Sequence, residues 1–257
     1  MRGVPRTIAC AWLLAAGCSL PPASSPDDEP IPVDAPAIDP PGHLPGRPGL
    51  GVHALSFHRY RVDSPPSIAA GPMATQPSGS LLIAGVGRGD ASTFALPTDS
   101  GGNTAQQLGA MHGYTRWPTS GTAMYTFASA AGGPDHTIRT TTTPDDEITL
   151  AAVEVIEGTR VQAAAWNEVT SGPLTSKTVT TTGPATLIAF WWGDAFAMVD
   201  QTATPDSGFT VVDSVLAAGS LVQGAVAVKN VTAAGTYHVT WTATPAQGAQ
   251  LWLVAVQ

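Results

Sequence analysis

Cysteine is almost absent from this chain. The 257 residues contain two, Cys10 and Cys18, so residues 19–257 have no thiol. A disulfide framework, a cysteine-ligated metal and a cysteine nucleophile are therefore excluded from that part of the chain. The position of both cysteines at the N-terminal end indicates a role in targeting.

Charge is also scarce, and positive charge most of all. Only 12% of the residues are charged, and 11 Lys plus Arg stand against 19 Asp plus Glu, which gives a formal net charge of −8. Because so few cations are available to neutralise a phosphate backbone, we expect no nucleic-acid partner. The chain also has no phosphate loop, dinucleotide fingerprint, G-x-S-x-G elbow or H-E-x-x-H motif, so no sequence motif indicates catalysis.

A helical period is missing from residue 51 onward, where short β-rich runs alternate with Gly, Pro, Asp and Asn. Residues 148–156, 187–192 and 251–256 are apolar on both faces, which favours central strands buried between layers. We predict an all-β domain over residues 49–257, a single large antiparallel β-sandwich of the jelly-roll or lectin-like type. Two immunoglobulin-like domains divided near residue 170 are the alternative. No internal repeat of fixed period is visible.

Residues 1–17 have the three parts of a secretory signal peptide. Arg2 and Arg6 give a positive start, an apolar run follows, and small residues precede Cys18. The stretch "LAAGC" resembles the lipobox of bacterial lipoproteins. The resemblance implies that Cys18 is alkylated by a diacylglycerol, becomes the first mature residue and serves as a membrane anchor. A plain cleaved signal peptide is the alternative.

Residues 18–48 are predicted to be the lipidated cysteine followed by a disordered linker. Residues 19–48 contain ten prolines and five acidic residues against a single base, Arg47, a composition that cannot form a core and favours an extended tether. The lipoprotein resemblance places the protein in the cell envelope. With Ser19 after the cysteine, it implies the outer membrane if the source is Gram-negative.

A second resemblance lies within residues 99–158. The segments "DSGGNT", "HGYTRWPTSGTAMYTFASAAGGPDHTI" and "DEITLAAVEVIEG" are similar to a diffuse group of bacterial and phage-tail-associated β-sandwich surface domains. Thr104 stands close to where that group usually has a tyrosine. The resemblance implies a surface-exposed domain without an established activity.

Glu154 is a carboxylate on an apolar strand face. It alternates with Leu150, Ala152 and Ile156, so it must be paired, protonated or hydrogen-bonded. One interpretation is a general acid of a glycan hydrolase, with Glu157 or Glu168 as the second carboxylate. The other is a structural carboxylate that accepts backbone N–H groups from a loop.

Two turn-like stretches offer oxygen ligands for calcium. Asp99 and Asn103 belong to "DSGGNT", and Asp145 and Asp146 belong to "PDDE". Lectin-like sandwiches hold Ca²⁺ in loops of this composition, although the same residues are ordinary turn formers. No other cofactor is expected.

Adjacent aromatic residues provide a candidate ligand surface. Trp191 and Trp192 must point to opposite faces of one strand, so we expect one of them to be the more exposed. An exposed indole near Asp194 is suited to stacking on a sugar ring. Burial of both indoles between two layers is the alternative.

Together these features predict a lipid-anchored cell-envelope protein with a non-catalytic binding or adhesion module. Carbohydrate is the candidate ligand, with Trp191, Trp192, Asp194 and Glu154 as candidate binding residues. The expected partners are the membrane, through the lipid, and a glycan or envelope protein. A secreted glycan hydrolase that uses Glu154, and a purely structural envelope protein, are the alternatives.

Overall fold

The computed structural model describes residues 45–58, 67–90, 94–141, 147–195, 199–219 and 222–257. All regular elements in these ranges are β-strands, and each strand pairing is antiparallel. The predicted all-β antiparallel sandwich is therefore confirmed. Since the described ranges contain no helix, they contain none that is long and apolar enough to cross a bilayer. Cys18, the signal peptide and residues 18–44 of the linker lie outside them.

The chain forms strands in two successive groups. The first group contains β1 (Gly49–His58), β2 (Ser67–Met73), β3 (Ser80–Arg88), β4 (Thr98–Asp99), β5 (Gln106–Gln107), β6 (His112–Gly113), β7 (Gly121–Ala130), β8 (His136–Thr141) and β9 (Ile148–Ile156). The second contains β10 (Val161–Val169), β11 (Leu174–Thr175), β12 (Val179–Thr181), β13 (Ala185–Gly193), β14 (Thr202–Pro205), β15 (Thr210–Val215), β16 (Gly224–Val231), β17 (Gly235–Tyr237), β18 (Thr240–Thr244) and β19 (Ala249–Val256). We call residues 49–156 the first half and residues 161–256 the second half.

The two halves have the same strand order. The first large sheet runs β1-β9-β3-β7-β5, with β6 also paired to β7, and the second runs β10-β19-β13-β16-β15. In each half the first strand therefore pairs with the last, which in turn pairs with a long strand from the middle. Smaller sheets accompany them: β2-β8-β4 in the first half, and β11-β18-β14 with β12-β17 in the second.

The sheets pack in layers, and three hydrophobic cores lie between the layers. The first core joins the first large sheet to β2 and β8, and the second core joins the second large sheet to residues of β11, β12, β14 and β18. The central core lies between the two large sheets. Both faces of each large sheet are therefore covered, which is why their central strands are apolar on both sides. The described residues belong to one compact unit, and the chain passes from the first half to the second at residues 157–160.

At one place in the central core, two glycines of the first half meet large residues of the second. The rings of Phe190 and Trp192 stack with centroids 5.4 Å apart and planes 4° apart. They lie against Gly85 and Gly87 of β3: a Cβ at position 85 would be 2.8 Å from Trp192 Cη2, and one at position 87 only 2.5 Å from Trp192 Nε1. These glycines are required because their missing side chains make space for the two aromatic rings.

Polar contacts also join the halves. His53 Nδ1 of β1 lies 2.6 Å from Asp213 Oδ2 of β15, where the two large sheets meet at one edge. Deeper in the central core, Trp252 Nε1 donates to Thr122 Oγ1 at 2.9 Å. The C-terminal strand β19 lies between β10 and β13 and faces the same core as β1, so both ends of the domain contribute to one interior.

Candidate functional site

Both tryptophans predicted as a ligand surface are buried. Trp191 is 0% exposed and packs in the second core, whereas Trp192 is 1% exposed and packs in the central core. Their side chains do point to opposite faces of β13, as the alternation requires. The expectation that one would be exposed is nevertheless wrong, because a layer covers each face of this sheet. Neither ring is open to a ligand from solvent.

Glu154 is a structural carboxylate. Its Oε1 accepts hydrogen bonds from Gln76 N and from Ser80 Oγ, both at 2.7 Å, and its Oε2 accepts one from Val52 N at 3.2 Å. The residue is only 1% exposed. A side chain at Gly51 would collide with this carboxylate, so the glycine lets β1 approach it closely. Both oxygens of Glu154 are thus used to hold β1 and the β2–β3 connection against β9.

Asp99 and Asn103 bind each other and the neighbouring chain. Asp99 Oδ1 accepts from Asn103 N at 2.7 Å, and Asp99 Oδ2 lies 2.7 Å from His136 Nε2. Asn103 Oδ1 accepts from Ala131 N at 2.8 Å. Thr75 Oγ1 completes the network at 2.9 Å from His136 Nδ1. Because the Asp99 side chain is 0% exposed, this loop offers no open carboxylate to a calcium ion.

The other two predicted calcium ligands, Asp145 and Asp146, lie outside the described residues. Within the described part of the chain, no three His, Cys, Asp or Glu side chains are grouped so that they could hold a metal ion.

A short segment before β7 crosses from the first half onto the second. Tyr114 Oη donates to Trp192 O at 3.0 Å, Thr115 N donates to Glu168 Oε1 at 2.9 Å, and Trp117 Nε1 donates to Asp194 O at 2.6 Å. We call residues 114–117 together with Glu168 and Asp194 the Trp117 corner. Since several hydrogen bonds hold it, the corner has a fixed shape.

The corner presents an indole ring to solvent. Trp117 is the most exposed of the six tryptophans in the described residues, with 40% of its surface accessible. The guanidinium carbon of Arg116 lies 5.2 Å from the Trp117 ring centroid, within the range of a cation–π contact. Arg116 Nη1 is also 3.8 Å from Asp194 Oδ1. The corner therefore combines an apolar ring with an exposed hydrogen-bond donor.

Burial shifts the pKa values of the inner groups of the corner. It raises the pKa of the Tyr114 hydroxyl well above its usual value, and the nearby Asp194 and Glu168 charges add to the effect. Burial also raises the pKa of Asp194, while the Arg116 charge and the hydrogen bond from Gly248 N oppose the shift. Tyr114 is thus a permanent hydrogen-bond donor at neutral pH.

Both carboxylates of the corner already have partners. Asp194 Oδ1 accepts from Gly248 N at 2.9 Å. Glu168 Oε2 accepts from Thr115 Oγ1 at 3.0 Å, in addition to the bonds from Thr115 N. The contacts of Glu168 hold the loop of the first half against the second half.

A cavity of about 480 Å³ adjoins the corner. It lies between residues 170–174 and residues 240–247, and Gln247 lines it directly before Gly248. Gly248 N donates to Asp194 Oδ1 of the corner at 2.9 Å, and the backbone of Thr170, another lining residue, also lies close to Gly248. The cavity is therefore a near neighbour of the corner through Gln247 and Gly248.

Trp117 was not among the binding residues predicted from the sequence. The available signal was its setting, "TRWPTSG", in which the tryptophan is next to Pro118 and outside any long apolar run. A tryptophan in such a turn has fewer ways to be buried than one in the middle of a hydrophobic strand.

No family model, no curated protein and no solved structure matches this chain.

Proposed function

We propose that this protein is a lipid-anchored cell-envelope protein whose β-sandwich is a non-catalytic carbohydrate-binding module. The observation that carries the proposal is the exposed indole of Trp117, fixed in place by its hydrogen bond to Asp194 O. An indole face packs well against the apolar C–H face of a sugar, and the ring is already ordered before the ligand arrives. Arg116 supplies donors for hydroxyl groups beside it.

The chemistry of the carboxylates supports binding without catalysis. A glycosidase needs two carboxyl groups that flank the scissile bond and exchange protons with it. Glu154 is buried with three donors, and Glu168 and Asp194 are hydrogen-bonded to backbone N–H groups. None of these three is arranged to protonate a leaving group.

Replacing Trp117 by alanine tests the binding proposal. We expect affinity for the recognised glycan on an array to fall by about tenfold or more, equivalent to about 1.4 kcal/mol, because the stacking surface is lost. Phe57→Ala is the matched control, since Phe57 is an equally exposed aromatic on β1. Equal binding by wild type and Trp117→Ala would overturn the proposal.

The anchor is tested separately by replacing each cysteine with serine in the full chain. We expect the wild type and Cys10→Ser to incorporate labelled fatty acid and to sediment with membranes. Cys18→Ser should incorporate none, because the thiol that receives the diacylglycerol is absent. Labelling that persists in Cys18→Ser, or a wild type that takes up no fatty acid, would disprove lipidation at this residue.

A further inference from the structure

The cavity beside the Trp117 corner has the size of a small-molecule site. Its volume of about 480 Å³ lies within the roughly 300–1,000 Å³ of typical ligand pockets. One wall is the loop that leads from β10 to β11, and the other comprises β18 and the turn that precedes β19. All of its lining therefore belongs to the second half.

The wall is mainly apolar, has several hydroxyl groups and carries no formal charge. Hydroxyl groups come from Thr170, Ser171, Thr240 and Thr242, and an amide comes from Gln247, whereas no Lys, Arg, Asp or Glu lines the cavity. An anionic or cationic ligand would lose its hydration here without gaining an opposite charge. A neutral ligand with several hydroxyl groups would replace its bonds to water by bonds to this wall.

We infer that this cavity binds an uncharged, hydroxyl-rich sugar unit of the glycan that stacks on Trp117. The inference rests on the proposed function and adds a ligand class, a neutral oligosaccharide, and a second subsite. The two subsites lie close together, because Gln247 of the cavity precedes Gly248, Gly248 N donates to Asp194, and the Asp194 carbonyl accepts from Trp117 Nε1. The tryptophan supplies the stacking surface, and the cavity supplies hydrogen bonds that select against charged sugars.

The test is calorimetric titration of the full protein in a zwitterionic, sugar-free detergent. The probes are the neutral hexamers of glucose in α1,4 and β1,4 linkage, the hexamer of N-acetylglucosamine, and the anionic hexamer of galacturonic acid. We expect at least one neutral hexamer to bind more tightly than the anionic one. Preferential binding of the anionic hexamer would overturn the inference.

Two variants locate the site. Ala246→Trp puts a large ring into the cavity from an exposed position, and we expect it to weaken binding of the neutral hexamer by about tenfold or more. Ala234→Trp, in the exposed turn between β16 and β17, is the matched control and should bind as the wild type does. Thr242→Val removes one hydroxyl without changing the volume, and about a threefold loss is expected.

The outcomes separate the two proposals. If Trp117→Ala loses binding while Ala246→Trp and Thr242→Val retain it, the module stands and the cavity subsite is wrong. If the cavity variants lose binding while Trp117→Ala retains it, the cavity stands and the tryptophan platform is wrong. If no hexamer binds to the folded wild type, both are wrong.

Discussion

Glu154→Ala is expected to lower the free energy of unfolding by about 3–5 kcal/mol. The substitution removes the acceptor, itself only 1% exposed, from Val52 N, Gln76 N and Ser80 Oγ, of which Ser80 is buried as well. Hydrogen bonds to a charged acceptor are among the strongest in proteins, and unsatisfied donors retain their full desolvation cost. Urea denaturation of the wild type and the variant measures the difference.

Glu157→Ala provides the comparison, because Glu157 is an exposed residue three positions further along. Its free energy of unfolding should change by less than about 1 kcal/mol. If Glu154 were instead a general acid, Glu154→Gln would keep the stability of the wild type and lose polysaccharide hydrolysis. That result would contradict the structural role given to the carboxylate.

Trp192→Ala should be as damaging, with an expected loss of about 3–5 kcal/mol. The ring is 1% exposed and lies between the two large sheets, stacked on Phe190 and packed against Gly85 and Gly87. Neither glycine has a side chain that can move into the space left by the indole, so a cavity would remain between the halves. Urea denaturation followed by circular dichroism measures the loss.

Trp117→Ala is the matched comparison for this second prediction. It removes the same side chain from an exposed position, so stability should change by about 0.5–1 kcal/mol at most, while ligand binding is lost. The account thus assigns the two tryptophans opposite roles, one in folding and one in recognition. Equal losses of stability from the two substitutions would contradict it.

The sequence was most informative about the long central strands. The predicted runs at residues 148–156, 187–192 and 251–256 correspond to β9, β13 and β19. Strands covered on both faces carry few polar residues, so their hydrophobicity identifies both the element and its central place. The same property explains why both Trp191 and Trp192 are buried. The alternation of side chains between the two faces of a strand does not by itself predict this burial.

The repeated strand order was not predictable from a repeat in the sequence. β3 and β13 share the tripeptide Leu-Ile-Ala at residues 82–84 and 187–189, but glycine follows in one strand and phenylalanine in the other. Two stacked sheets need complementary surfaces, and here Gly85 and Gly87 of β3 are matched by Phe190 and Trp192 of β13. At these facing positions the two strands therefore differ in sequence.

The candidate site shows a similar limit. The sequence indicated that Glu154 needed partners, but its donors come from residues 74 to 102 positions away. His136, which binds Asp99, is likewise 37 positions distant. The Trp117 corner depends on contacts between the two halves, and local patterns contain no information about such contacts. Residue types suggested the chemistry, and the tertiary structure determined which residues are accessible.

The most direct test of the account follows the tryptophan indole N–H signals by NMR while the neutral oligosaccharide is added to the ¹⁵N-labelled protein. Trp117→Phe identifies the signal of Trp117. We predict that this signal shifts with increasing ligand, while the signals of the buried Trp191 and Trp192 stay in place. Saturable ligand binding that leaves the Trp117 signal unchanged would contradict the claim that this exposed ring is the recognition surface.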